Sequence, residues 1–368
     1  MADHMAGGKG ARKGHRTRRK KRSVLSAVLT VLLVLLLLAA GGVGFLALCS
    51  LNRIEKVDKE KEVWITPEFE NFETDEPEPS EAEPGAEPGT APAAEPGEGP
   101  AAAEPNEIVW QTPEEVPRED HVHNILLIGQ DRRPGEGRAR SDSMIICSIN
   151  EKTKEIRLCS LMRDLYVPFP GGYSDNRINA AYAFGGMSLL DKLIQEDFGI
   201  TIDGTVEVDF DGFIKVMDMI APLEIELTDS EAWFLNQSTG WLLRTGVNAL
   251  TGEQILAYAR LRYIGHADFE RTERQRRVLN IAFNKVRKLS LSELYALADA
   301  ALPCITTDLS NTDIINYVYL VAVNRMSIGG NYRIPADGTY TPQSIRGMSV
   351  LVPDLAKNSA LLREYLYQ

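Results

Sequence analysis

With 368 residues and a formal net charge of -12, the chain is long enough for one or two domains, and its balance argues against a nucleic-acid partner. Four cysteines in that length exclude a disulfide framework. The charge is uneven: +8 over residues 1–50, -16 over 51–120 and -4 over 121–368, so the acidity belongs mostly to one segment.

Residues 1–22 form a basic tail ending in Arg16, Arg18, Arg19, Lys20, Lys21 and Arg22, and Val24 to Leu48 carries no charge. That run reaches the roughly 20 residues a bilayer crossing needs. A cleaved signal peptide has a shorter apolar core, about 7–15 residues, so we read one retained span over 23–49. The positive-inside bias keeps the tail in the cytoplasm and sends the rest across. This accounts for the basic tail more simply than a nucleic-acid arm does. Residues 76–105 are low-complexity Glu/Pro/Ala/Gly, with too little apolar surface to offset ordering entropy. Residues 50–120 are therefore expected to be a disordered acidic spacer that holds an extracytoplasmic domain, 121–368, away from the membrane.

Within that domain "HNILLIG", "SMIICSI" and "EIRLCSLM" read as strands, with a hairpin turn at "NEKTKE" between the last two. Asp131 lies just past the first strand, Asp142 opens the second, and Arg163-Asp164 follows the third. A hairpin places the end of its second strand beside the start of its first, so Arg163 should lie near Asp142. If the first strand is also a neighbour, Asp131 joins them at the same sheet edge. Cys147 and Cys159 read as two small buried residues rather than a disulfide. "NRINAAYAFGGMSLLDKLIQEDFG" predicts a helix interrupted near Gly185-Gly186 and stopped at Gly199. "GTVEVDF" predicts a strand, "DGFIKVMDMI" a helix and "PLEIEL" a half-buried strand.

Ala259 to Arg277 holds six arginines in nineteen positions. Thr251 to Gln254 fits a capping box for a short helix reaching about Leu261. Arg260 and Arg262, two apart, share a direction only if the chain is becoming extended there. Asp268 suits an N-cap for a second helix with the apolar stripe Val278, Ile281, Ala282 and Val286. Carried backwards, the stripe meets Gln275, Arg274 and Arg271, of which Arg271 and Gln275 read as walls of a polar cavity. Arg276 and Arg277 lie off it and are expected in solvent. A helix N-terminus adds its own pull on an anion. Two carboxylates without a Cys/His cluster suit a hard cation such as Mg²⁺, and arginine forks suit phosphate. Together they point to phosphoryl transfer. No Walker A, G-x-S-x-G or zinc spacing occurs, and His121, His123 and His266 read as surface residues.

"NILLIGQDRR…RSDSMIICSIN", "LMRDLYVPFP", "RINAAYAFGG", "VEVDFDGFIKVMD", "LTGEQILAYARLR" and "DFERTERQRRV" together resemble the LytR-CpsA-Psr family over about Asn124 to Val278. The resemblance implies an α/β domain with a central mixed sheet between helices and a hydrophobic groove for a polyprenyl chain. It implies a transferase moving a glycopolymer from a polyprenyl-pyrophosphate carrier onto peptidoglycan, at the cytoplasmic membrane of a bacterium. Asp131 and Asp142 resemble the family's Mg²⁺-associated carboxylates. Arg140, Arg163, Arg260, Arg262, Arg271 and Gln275 resemble the residues around the pyrophosphate, and Asp268 the acid that orients the arginines. Gln130 and Glu270 depart from the family's usual Ser and Gly. A lipid-pyrophosphate binder without turnover, and a hydrolase of the same lipid, are the alternatives.

Overall fold

The computed structural model describes residues 51–65, 108–111, 119–130, 138–262 and 268–368. The predicted tail and membrane span, most of the predicted spacer, Asp131 and His266 lie outside the described residues. Among those described, no helix is long and apolar enough to cross a membrane.

In chain order the elements are β1 (Glu55–Lys56), β2 (Val122–Gln130), β3 (Ser141–Asn150), β4 (Glu155–Leu161), β5 (Tyr166–Val167), β6 (Asn176–Arg177), α1 (Asn179–Phe198), β7 (Gly204–Asp209), α2 (Phe210–Ile220) and β8 (Leu223–Leu227). Then come α3 (Asp229–Thr239), β9 (Gly246–Leu250), α4 (Gly252–Arg260), α5 (Asp268–Val286), α6 (Leu291–Ala301), β10 (Ile305–Thr307), α7 (Asn311–Val323), β11 (Ser327–Ile334), β12 (Tyr340–Ile345), β13 (Met348–Pro353) and α8 (Leu355–Tyr367).

Seven strands form one mixed sheet in the order β1-β10-β7-β2-β3-β4-β11. The three strands expected first are its centre, antiparallel in sequence, with β7 parallel to β2 and β11 parallel to β4. Successive side chains on a strand face opposite ways, and β2 uses both faces. Leu126 and Ile128 pack under α1 and α8, whereas Ile125 and Leu127 pack under α5 and α7. A third cluster joins α2, α3, α4, α5 and the β8–β9 hairpin. In β8 the expected alternation holds, with buried and exposed residues in strict turn. Cys147 pairs with Leu158 and Cys159 with Ile146 in the ladder. The two thiols are free and belong to clusters on opposite faces.

The interruption in α1 is where the chain's own N-terminal strap passes. Gly186 adopts φ 64° and ψ -150°, a region open to glycine and costly for other residues. A side chain there or on Gly185 would meet Glu62 or Trp64. The helix restarts with its Ser188 N–H donating to the Glu62 carboxylate at 2.7 Å, and Arg138 donates to the same group at 3.1 Å. Lys59 pairs with Asp191 and Asp308, and β1 extends the sheet beside β10.

This corrects the predicted spacer at both ends. Residues 51–65 are part of the fold, with Leu51 and Ile54 buried. Ile108 packs against Tyr166 and its neighbours, and Trp110 donates its indole N–H to Asp175 at 2.7 Å. The acidic stretch is thus flanked on both sides by residues of the domain, 51–65 before it and 108–111 after it. The flanking apolar residues Leu51, Ile54, Trp64 and Trp110 have their own places against the core.

Candidate active site

The expected meeting of β3 and β4 at one sheet edge occurs. Asp142, second residue of β3, accepts from the Arg163 guanidinium at 3.1 Å and the Arg262 guanidinium at 3.4 Å. Arg163 follows β4, and its Nε lies 3.4 Å from Asp268 and 3.6 Å from Asp164. Asp268 is the first residue of α5 and pairs with Arg271 at 2.7 Å. The Arg271 Nη2 approaches the Asp142 backbone carbonyl at 3.5 Å. Gln275 accepts from the Ser143 hydroxyl at 3.0 Å. Three separate chain segments therefore converge on Asp142.

A cavity of about 200 Å³ opens beside this cluster. One end is polar, with Asp142, Ser143, Arg260, Arg262, Arg271 and Gln275; the walls beyond are apolar, including Leu127, Ile145, Val206, Phe213 and Leu279. The chain does turn extended after α4, since Leu261 has φ -54° and ψ 126°, and Arg260 and Arg262 both reach the cavity. Arg260 lies over the Phe210 ring, 4.3 Å from its centroid. Arg140, one residue before β3, is half-buried and is not among the lining residues.

Burial first, and then a hydrogen bond with Asp268, push the Asp164 carboxyl up from its usual range. For Asp268 burial acts the same way, but the bond from Asp164 and the charges of Arg271, Arg163 and Arg262 outweigh it and hold the group down. When the pair carries a proton, Asp164 is the one that holds it. Sequence reasoning did not single out Asp164; its place directly after Arg163 was the available signal. Burial lowers Arg271 to about 10, which leaves it charged at neutral pH. Its Nε is buried without a hydrogen-bond acceptor among the described residues, and its Nη1 meets Asp268 as an ion pair off the hydrogen-bond direction. Buried donors of this kind carry a desolvation penalty unless a ligand meets them.

The other arginines of α5 do different work. Arg276, expected in solvent, is buried and donates to the Ser160 hydroxyl at 2.6 Å. The correction has a simple cause: α5 is wedged between the sheet and the α2–α4 cluster, so two of its faces are covered. The second covered stripe is Thr272, Arg276, Leu279 and Phe283, and its apolar half was visible in the sequence. Arg274 is buried as well. It bonds Glu231 at 2.7 Å, the Leu261 carbonyl at 3.0 Å and Glu270 at 2.8 Å. Glu270 thus points its charge at Arg274. Arg277 is exposed as expected and touches Tyr258 and Glu273. At the end of β2 the buried Gln130 amide accepts from the Ala139 N–H at 3.1 Å and donates to Glu207, which also takes the Tyr182 hydroxyl.

The described residues hold no group of three or more His, Cys, Asp or Glu arranged for a metal. One carboxylate plus a substrate's phosphate oxygens is nonetheless a donor set that Mg²⁺ accepts. Asp142, aimed at the polar end, fits it.

Residues 97–356 match the model of the LytR_cpsA_psr family. The chain belongs to that family. Regulatory protein MsrR of Staphylococcus aureus is 34% identical over 162 residues, 44% of this chain and 48% of MsrR. The polyisoprenyl-teichoic acid–peptidoglycan teichoic acid transferase TagU of Enterococcus faecalis is 34% identical over 198 residues, 52% of this chain and 62% of TagU. The chain thus spans about half to three fifths of the length of these curated relatives. The solved structure of TagT bound to LIIa-WTA superposes with a TM-score of 0.57 and 25% identity, covering 70% of this chain and 97% of TagT. The mixed sheet with helices on both faces is the fold of this family.

Proposed function

We propose that this LytR-CpsA-Psr protein moves a glycopolymer from a polyprenyl-pyrophosphate carrier onto a peptidoglycan hydroxyl. The observation that carries the reading is the cavity itself: lined by apolar side chains together with Arg260, Arg262 and Arg271, with the Arg271 Nε still unmatched. Apolar walls suit an isoprenoid chain, and guanidinium forks suit a diphosphate. The transferase name of the TagU relative supports the same reaction class.

In this reaction the acceptor hydroxyl oxygen bonds to the phosphorus that carries the glycan. The bridging P–O bond of the diphosphate breaks, polyprenyl phosphate leaves, and the hydroxyl proton departs to a base. Arg262 and Arg271 hold the diphosphate and offset the charge that grows on its oxygens. Arg163 lies between Asp142 and Asp268, which fixes its direction. Asp268 positions Arg271 from one turn away. Asp142, with Asp131, would hold Mg²⁺, which supplies a further positive charge at the phosphate oxygens. The protein would be a single-pass one, its tail inside and the domain outside.

The test incubates the full chain in lipid vesicles with Mg²⁺, a polyprenyl-pyrophosphate oligosaccharide and glycan strands. A product joined by a phosphodiester is expected. Free oligosaccharide phosphate would make the protein a hydrolase, and bound but unchanged lipid would make it a binder; either overturns the proposal.

A further inference from the structure

The outer face of α7 has no covering among the described residues. Ile315, Val318, Tyr319 and Val323 are 42%, 65%, 66% and 58% exposed, and the spacing 315, 319, 323 with 318 beside it is one helix face. Of the thirteen residues of α7 only Asp313 is charged, and it is consumed in the capping box with Ser310. Four large apolar side chains together on a helix are more than the scattered single exposures of an ordinary surface.

Three observations say what covers this face. The first is where the chain comes from. Asn52 accepts from Asn311, the first residue of α7, at 3.1 Å, and Arg53 pairs with Asp299 at the end of α6. Only Cys49 and Ser50 separate the uncharged run ending at Leu48 from Leu51, which is buried in the domain. The second is charge. Arg287 and Arg325, both exposed, meet at the C-terminal end of α7, placing cations where an apolar helix face ends. The third is the layer beneath. The inner face of α7, with Ile314, Tyr317, Leu320 and Val321, packs in one cluster with Leu127, Ile145, Val206 and Leu279. Those last four residues are also apolar wall of the active-site cavity.

We propose that α7 lies in the surface of a lipid bilayer, with Ile315, Val318, Tyr319 and Val323 set among the acyl chains and Arg287 and Arg325 against anionic headgroups. This is the arrangement of an interfacial helix, with apolar side chains inserted and basic residues at the headgroups. It rests on the reading of 23–49 as a membrane span. It turns the apolar wall of the cavity toward the membrane and the arginines away from it. An isoprenoid then passes from the bilayer into the cavity without crossing water.

The test places a fluorophore on the full chain through Val318→Cys, and in a second variant through Leu242→Cys, which is 94% exposed and far from α7 in sequence. The unsubstituted chain gives the labelling background. Each is reconstituted in phosphatidylcholine–phosphatidylglycerol vesicles carrying nitroxide-labelled lipid. The lipid should quench the probe at 318 at least about threefold more than the probe at 242, as insertion of about 5–10 Å implies. Equal quenching overturns the proposal. So does a probe at 318 shielded from both nitroxide lipid and aqueous iodide, which would mean that a second copy or another part of this chain covers α7. Alkaline extraction reports the span separately. A chain that floats with the vesicles but is stripped by alkali removes the span, and the quenching ratio still decides α7. A chain that does not float overturns both.

Discussion

Arg271 and Arg274 stand one turn apart on α5, with side chains 3% and 4% exposed. Every nitrogen of Arg274 has a partner: Glu231, the Leu261 carbonyl and Glu270. Arg271 has Asp268 beside its Nη1 as an ion pair, but its Nε lacks an acceptor and it lines the cavity. Burial and residue type are the same in both regions; what differs is whether the protein has already satisfied the donors. A buried guanidinium whose bonds are complete holds helices together; one with an unmatched donor on a cavity wall can receive an anion, whereas Arg276, whose Nε is also unmatched, is not in the cavity lining.

The sharpest way to break this comparison is to remove each arginine in turn. Arg274→Ala leaves the Glu231 carboxylate buried with only the Thr228 N–H and no cation, which costs about 3–5 kcal/mol. Urea unfolding followed by circular dichroism should show that loss, and a midpoint equal to the parent's would end the clamp reading. Arg271→Ala should do the reverse. Folding should stay near the parent's, while binding of lipid pyrophosphate weakens roughly ten- to a hundredfold, since a charge-assisted bond is worth roughly 1.5–3 kcal/mol. Arg271→Lys should restore only part, because a point charge lacks the fork.

Asp142 extends the contrast to the carboxylates. Asp142→Ala should lower transfer at limiting Mg²⁺ by at least about tenfold, as expected when an oxygen ligand of the metal is lost, with the circular dichroism spectrum unchanged. Near-normal transfer in that variant at limiting Mg²⁺ would remove the metal assignment.

Asp197 is a buried carboxyl with no cation beside it among the causes of its shift. Burial first, then Glu196 and Asp175, push its carboxyl up to about 8, and its Oδ2 has no hydrogen-bond partner among the described residues. The folded value lies above the unfolded one, so the folded chain keeps a proton that the unfolded chain has released. Stability is then full below about pH 4 and falls as the pH rises to about 8, by up to about 1.4 kcal/mol per unit. Asp197→Asn should flatten that slope in unfolding measured from pH 5 to 9; an unchanged slope would show that Asp197 is not its source. The smallest effect is expected at Arg276, which is buried beside a hydroxyl and no carboxylate. Arg276→Met should change stability by less than about 1 kcal/mol, in line with replacing a buried charge by an apolar side chain of similar volume, and lipid binding by less than about threefold. A tenfold loss of binding would put Arg276 in the site.

Much of this arrangement was legible in advance. The β3–β4 hairpin alone brings Asp142 to Arg163, because a turn fixes which residues lie opposite. The glycines at 185, 186 and 199 mark where α1 breaks and stops. The bend after Arg260 follows from the need to aim two arginines, two residues apart, into one cavity. Arg276 was not legible from the single stripe considered, because a stripe says that one face is buried and is silent about a second. Nor was the strap legible, because Glu62 caps a helix more than a hundred residues away.

The sequence by itself determined the local elements, their caps and breaks, and the family, since these rest on side-chain period and on motifs that lie close together in the chain. The tertiary structure decided which arginine receives a ligand and which clamps helices. It also decided that residues 51–65 belong to the domain and that one face of α7 is left bare. The physical reason is the same each time: a guanidinium, a carboxylate or an apolar face takes its role from the group it meets, and those partners arrive from distant parts of the chain.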